Sequence, residues 1–119
     1  MANILIVDDQ PYLGELVSEE LSRGGHRVKC VEEGWRAIEE LRSNRPDIVL
    51  LDLFLQGFEG WDLVHRFKLE NPGLPVIVVT AYDNYANDPR LAEADGYVIK
   101  DIYTDKLKQK IEEVLKLNA

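Results

Sequence analysis

The sequence predicts an α/β fold, a doubly wound sheet of five parallel strands with about five helices. Three features carry that prediction. Short apolar runs alternate with amphipathic stretches from one end of the chain to the other. Three of the five runs, Ile4–Val7, Ile48–Leu51 and Val76–Val79, are continuously apolar and rich in β-branched residues, as strands covered on both faces must be. The second run alternates instead, with Arg27 and Lys29 against Val28 and Cys30, and so belongs at an edge with one wetter face.

After the first run, Pro11 suits an opening helical turn; Leu13, Leu16, Val17 and Leu21 form one apolar stripe, and Gly24-Gly25 ends it. Beyond Val28–Val31 the next stripe is Ala37, Ile38 and Leu41, stopped before Pro46. The third run leads to a helix carrying Trp61, Val64 and Phe67, stopped by Pro72-Gly73. Trp35 and Trp61 both read as packing residues on these stripes. Between Tyr82 and Asp95 the chain reads as loop, with a short helix opening at Pro89 and including Leu91, Ala92 and Ala94. Tyr97-Val98-Ile99 is the fifth strand. The last helix starts at Thr104 as N-cap and runs through Leu107, Ile111, Val114 and Leu115. With the alternating strand at the edge, the flavodoxin-like order 2-1-3-4-5 fits, and ligands belong at the carboxyl ends of the strands, near the reversal between strands 1 and 3.

Composition narrows the function classes. The 119 residues suit a single domain spanning 1–119, and 45% hydrophobic with 30% charged residues is a globular balance. A formal charge of −8 argues against direct contact with a nucleic-acid backbone. Cys30 is the single cysteine, so no internal disulfide is expected and a reducing, cytoplasmic setting is implied. No run reaches membrane-spanning length, and the start of the chain lacks a signal-peptide pattern.

The chemistry lies at the carboxyl ends of the apolar runs. Asp8 and Asp9 come directly after the first, Asp52 after the third, Thr80-Ala81 after the fourth and Lys100 after the fifth. In a parallel sheet all of these share one rim. Three carboxylates against one ammonium leave an excess of two negative charges in a small volume. Like charges about 4 Å apart repel by about 4 kcal/mol at an effective dielectric of 20. Such a cluster calls for a divalent cation, and oxygen-only donors favour a hard one, Mg²⁺ or Mn²⁺. A carboxylate beside that ion can attack phosphorus as a nucleophile, while a hydroxyl and an ammonium bind the oxygens of the transferring group. Ala81 leaves room for it.

The ordered set Asp8-Asp9, Asp52, Thr80-Ala81 and Lys100 resembles the receiver domain of two-component response regulators over essentially the whole chain. The resemblance implies Asp52 as phospho-acceptor, Asp9 as a direct metal ligand, Asp8 as a ligand acting mainly through water, and the Phe54 carbonyl as the remaining protein ligand. It implies that Thr80 and Lys100 contact the phosphoryl group, and that Tyr97 is the switch aromatic that turns inward as Thr80 moves. Gly60 matches the glycine of the loop after the acceptor. Phe54 and Tyr82 fall where the family tunes the lifetime of the phosphorylated state, and both are bulky enough to hinder an in-line water. The implied partners are a histidine kinase or phosphotransfer protein and an output protein meeting the surface around Tyr97 and the last helix, with room for a phosphorylation-dependent dimer. Two departures stand out: Gln56 and Asp101 occupy positions where the family often has proline. A cis bond before a non-proline costs about 2.5–4 kcal/mol, so a trans peptide is expected at Asp101. The chain ends with the last helix, which suggests either a single-domain regulator or a piece of a longer protein.

Each residue also has a plainer reading. Asp8-Asp9 alone suits a turn and helix cap, Asp52 a strand end, Thr80 a loop hydroxyl, Lys100 a solvated charge and Tyr97 a half-buried strand aromatic. The case for chemistry is collective. His26 and His65 lack partners at metal-ligand spacing and read as surface residues. Three other functions fit the topology. A flavin protein would need a phosphate cradle, and Asp8-Asp9-Gln10-Pro11 is acidic instead. A Mg²⁺-dependent phosphatase and a phosphorylation-independent interaction module are the others.

Overall fold

Five strands pair in parallel in the order β2-β1-β3-β6-β7, where β1 is Asn3–Val7, β2 Arg27–Val31, β3 Ile48–Leu51, β6 Val76–Thr80 and β7 Gly96–Ile99. Counting only these strands, that is the predicted 2-1-3-4-5, with the alternating strand at the edge. The coordinates are those of a computed structural model, which describes residues 2–10, 12–55, 58–81, 87–101 and 103–117. The helices are α1 (Ser18–Arg23), α2 (Gly34–Asn44), α3 (Gly60–Glu70) and α4 (Asp105–Leu117).

Alternation within the buried strands builds two cores. Leu5, Val7, Val49, Leu51, Val76 and Val78 face one side, against Ala37, Ile38 and Leu41 of α2 and Leu63, Val64 and Phe67 of α3. Ile4, Ile6, Ile48, Leu50, Ile77 and Val79 face the other, against Leu21 of α1 and Leu107, Ile111 and Val114 of α4. Side chains of a strand alternate between faces, so two covered faces require the unbroken apolar runs seen in the sequence.

Several expectations are corrected. Trp35 is 51% exposed rather than packed, because α2 buries Gly34, Ala37, Ile38 and Leu41 and the next position after Gly34 is rotated out to solvent. Its ring lies beside the Arg36 guanidinium, 5.8 Å from the ring centre. Leu16 is also exposed, because Tyr12–Val17 forms a π-helical turn whose wider winding breaks the 3.6-residue stripe before α1. Val17 and Leu21 are buried as expected, while Pro11 and the side chain of Leu13 lie outside the described residues. Cys30 is exposed, its Sγ 3.8 Å from the carbonyl of Gly14. The short helix at Pro89 is a 3₁₀ turn, Pro89–Glu93, capped by the Asp88 carboxylate, which accepts from the Arg90 amide. The described residues therefore contain four α-helices and this 3₁₀ turn, in keeping with about five helical elements.

An antiparallel pair not anticipated from the sequence, β4 (Phe54–Leu55) with β5 (Phe58–Glu59), comes directly after β3. It returns the chain to Gly60, whose amide donates to the Leu53 carbonyl at 2.9 Å. A Cβ at Gly60 would stand 2.4 Å from Leu53 Cα, so only glycine permits this approach. No helix of the described residues is long and apolar enough to cross a membrane.

Candidate functional site

Asp8, Asp52 and Lys100 each add the last rung to a strand ladder. The Asp8 amide donates to Val31 O at 3.1 Å, the Asp52 amide to Val7 O at 2.9 Å, and the Lys100 amide to Thr80 O at 2.7 Å. Parallel pairing thus brings four strand ends to one rim, and the side chains of Asp8, Asp52 and Lys100 meet there. Carboxylate oxygens of Asp8, Asp9 and Asp52 lie within 4.8 Å of one another. Lys100 Nζ stands 3.0 Å from Asp8 Oδ2 and 3.0 Å from Asp52 Oδ2. Asp8, Asp52 and Thr80 are buried, Asp9 and Lys100 half-buried. An open hollow of about 570 Å³ beside the cluster is lined in part by Asp8, Asp9, Gln10 and Glu15.

The electrostatics match the geometry. Burial, with Asp52 adding to it, lifts the Asp8 carboxyl to about 6 despite the Gln10 amide and Lys100. Burial pulls the Lys100 ammonium down, but bonds to Asp52 and Asp8 outweigh it and leave the group above its ordinary value. Asp8 Oδ1 accepts from the Gln10 amide at 2.9 Å, whereas the buried Asp8 Oδ2 receives no aligned hydrogen bond although the Lys100 ammonium touches it. A buried carboxylate oxygen left this way is costly unless a charge completes it. Three clustered carboxylates, all oxygen donors, fit a hard divalent cation.

The structure also places the other residues singled out in the sequence. Tyr97 is half-buried against the α2–α3 core, and Ala81 beside Thr80 is exposed. Phe54 opens β4, its side chain lying outside the described residues together with Gln56 and Tyr82. Asp101 comes after a trans peptide, and its Oδ1 accepts from the Tyr103 amide at 3.2 Å. His26 Nδ1 accepts from the Ala2 amide at 3.1 Å, and His65 pairs with Glu93 at 2.9 Å, both far from metal-ligand roles. Sequence reasoning missed Gln10, whose amide holds Asp8 and whose side chain reaches Asp9 Oδ1 at 3.4 Å. An Asp two residues before a main-chain donor is an Asx-turn signal that was readable.

Residues 4–112 match the family model described as the response regulator receiver domain. The chain belongs to that family. A receiver structure of TrrA from Thermotoga maritima, solved in complex with Mg²⁺-BeF, superimposes with a TM-score of 0.90 at 33% identity, covering 96% of this chain and 99% of the other. TrrA in complex with the histidine kinase ThkA gives 0.89 at 34% identity, covering 97% and 99%. The probable transcriptional regulatory protein TcrX of Mycobacterium tuberculosis is 37% identical over 117 residues, 95% of this chain and 49% of the relative. The chain spans about half the length of the curated relatives it matches. This receiver domain is accordingly a signalling module of two-component systems rather than an enzyme of the ordinary kind.

Proposed function

We propose that this receiver is switched by transfer of a phosphoryl group onto Asp52. The carrying observation is the convergence of Asp8, Asp9 and Asp52 within 4.8 Å, with Lys100 Nζ 3.0 Å from two of them. Asp8, Asp9, Asp52 and the main-chain carbonyl of Phe54 would hold Mg²⁺, and Mn²⁺ suits the same donors. Bound, the cation supplies the positive charge that lets a phosphoryl group approach three carboxylates.

An Asp52 oxygen attacks the phosphorus of a phosphohistidine on a histidine kinase or phosphotransfer protein. The new P–O bond forms as the P–N bond breaks, and the imidazole leaves with the electron pair and takes a proton from solvent. The Thr80 hydroxyl and the Lys100 ammonium bind the oxygens of the transferred group. Burial of Thr80 and attachment of Lys100 to its main chain support both groups acting from fixed positions. Tyr97 then turns inward, and the surface it shares with α4 binds or releases an output protein, by population shift between two states. Phe54 and Tyr82 shield the acyl phosphate from water and lengthen its life. The setting is cytoplasmic, where the phosphoryl donors work, and dimerisation through the α4 surface is one form the output can take.

Intact-mass measurement after incubation with acetyl phosphate and Mg²⁺ tests the reading. One added phosphate is expected on the native chain and none on Asp52→Asn or in EDTA. Catalytic release of phosphate without a stable adduct would favour a phosphatase, and no adduct at all a phosphorylation-independent module. Exchanging Phe54 and Tyr82 together for Asn should speed decay of the adduct; an unchanged rate removes their shielding role.

A further inference from the structure

Three contacts tie α3 to the segment between β6 and β7. Lys68 Nζ meets Asp95 Oδ2 at 2.6 Å, His65 Nδ1 meets Glu93 Oε2 at 2.9 Å, and the Arg90 guanidinium lies over the Trp61 ring, 4.5 Å from its centre. Positions 61, 65 and 68 share one face of α3, so the contacts form a ladder. Its two ends are anchored differently. Asp95 is fixed to the sheet, since its carboxylate accepts from the Val76 amide at 2.8 Å and its own amide donates to Val76 O at 2.8 Å. Trp61, at the other end, adjoins Gly60, which is clasped to the Leu53 main chain one residue beyond Asp52.

That clasp has no slack. Any shift of the main chain at Leu53 must carry Gly60 with it, because the two backbones already touch. Trp61 is the next residue, and Arg90 rests on its ring. Arg90 is in turn bound to Asp88 through two carboxylate contacts, of 3.0 and 2.7 Å, and Asp88 caps the 3₁₀ turn that leads into β7.

We infer that the Trp61–Arg90 stack couples the state of Asp52 to the 3₁₀ turn through Leu53 and Gly60, a route separate from Thr80 and Tyr97. The inference rests on the proposed loading of Asp52. A displacement of Leu53 on loading would pull the Trp61 ring away from Arg90, so the stack opposes loading and removing it favours the loaded state.

A double-mutant cycle tests this, with loading by Mg²⁺ and beryllofluoride monitored by ¹⁹F NMR. The proteins are the native chain, Arg90→Met, Trp61→Leu and the double variant. Arg90→Met keeps the stem and leaves the Asp88 cap on the Arg90 amide in place. Each single substitution should lower the loading midpoint by roughly two- to fivefold, the range for a half-exposed cation–π contact. The double variant should shift no further than either single one, since the same contact is lost once. Trp61→Phe, which keeps an aromatic face, should restore most of the native midpoint and guards against a misfolded Leu variant. Midpoints that stay put, that rise, or that multiply in the double variant overturn the coupling. A native chain that shows no bound ¹⁹F signal overturns the loading of Asp52 itself, and the coupling with it.

Discussion

Replacing Asp8 by Asn should stabilise the metal-free protein at neutral pH while weakening its hold on Mg²⁺. In the folded chain the Asp8 carboxyl titrates at about 6, above its ordinary 3.8, because burial and Asp52 oppose its charge. A raised carboxyl pKa means that the folded state binds the proton more tightly than the unfolded one. Stability contributed by that proton is complete below pH 3.8, is lost as pH rises through 6, and is absent above. About two units at 1.36 kcal/mol each give a loss of about 3 kcal/mol. Asn mimics the protonated carboxyl and its Oδ1 can keep the bond from the Gln10 amide. The variant should therefore gain up to about 3 kcal/mol over the native chain at pH 8 in EDTA, and almost nothing near pH 4. Urea unfolding monitored by circular dichroism reads this as a midpoint difference of about 1–3 M, given a slope of 1–3 kcal/mol/M. Saturating Mg²⁺ should close or reverse the gap, because the native chain gains more binding free energy than the variant. A variant less stable than the native chain at pH 8 without metal, or a difference that ignores pH, would refute the account of Asp8 as a buried carboxylate awaiting charge.

The packing sets other outcomes. Gly60→Ala places a Cβ 2.4 Å from Leu53 Cα and should cost about 1–3 kcal/mol in thermal or urea unfolding, with slower acquisition of phosphate from acetyl phosphate. Arg45 ends α2 in the left-handed region, at φ 43°, so Arg45→Gly should raise stability by about 1 kcal/mol; a loss would show that its side chain matters more than its backbone. Asp95→Ala strands the Val76 amide and removes the Lys68 ion pair, leaving that ammonium its bond to the Leu74 carbonyl, and should cost about 1–3 kcal/mol, visible as faster hydrogen exchange at Val76. Phe67→Ala, at a fully buried position of α3, should cost about 3–5 kcal/mol and leave little folded protein at 37 °C.

Period and order made most of the fold legible in the sequence. Continuous apolar runs gave the covered strands, the alternation at Arg27–Val31 gave the edge, and the polar residues after each run gave the rim on which Asp8, Asp52, Thr80 and Lys100 meet. The features that stayed hidden depend on phase and on distance. A π-helical turn before α1 shifts the helical phase, so Leu16 points outward although its spacing was right. Trp35 misled because aromatic character was read as burial, when its position next to Gly34 set its direction. The β4–β5 pair was too short for period to reveal, although Gly57 between Phe54-Leu55 and Phe58 was a usable sign. The Trp61–Arg90 stack joins residues far apart in the chain, and no local pattern announces such a meeting.

The fastening of Asp8, Asp52 and Lys100 to neighbouring strands through their own amides has a consequence for how such a centre can fail. Its spacing is inherited from the scaffold, so it cannot be loosened by degrees while the sheet stays whole. Reactivity should persist undiminished up to the point of global unfolding and then vanish with it. Substitutions in the loops beyond those three residues that spare Asp9, Phe54 and Gly60 are left free to adjust speed and partner choice without disturbing where the charges stand.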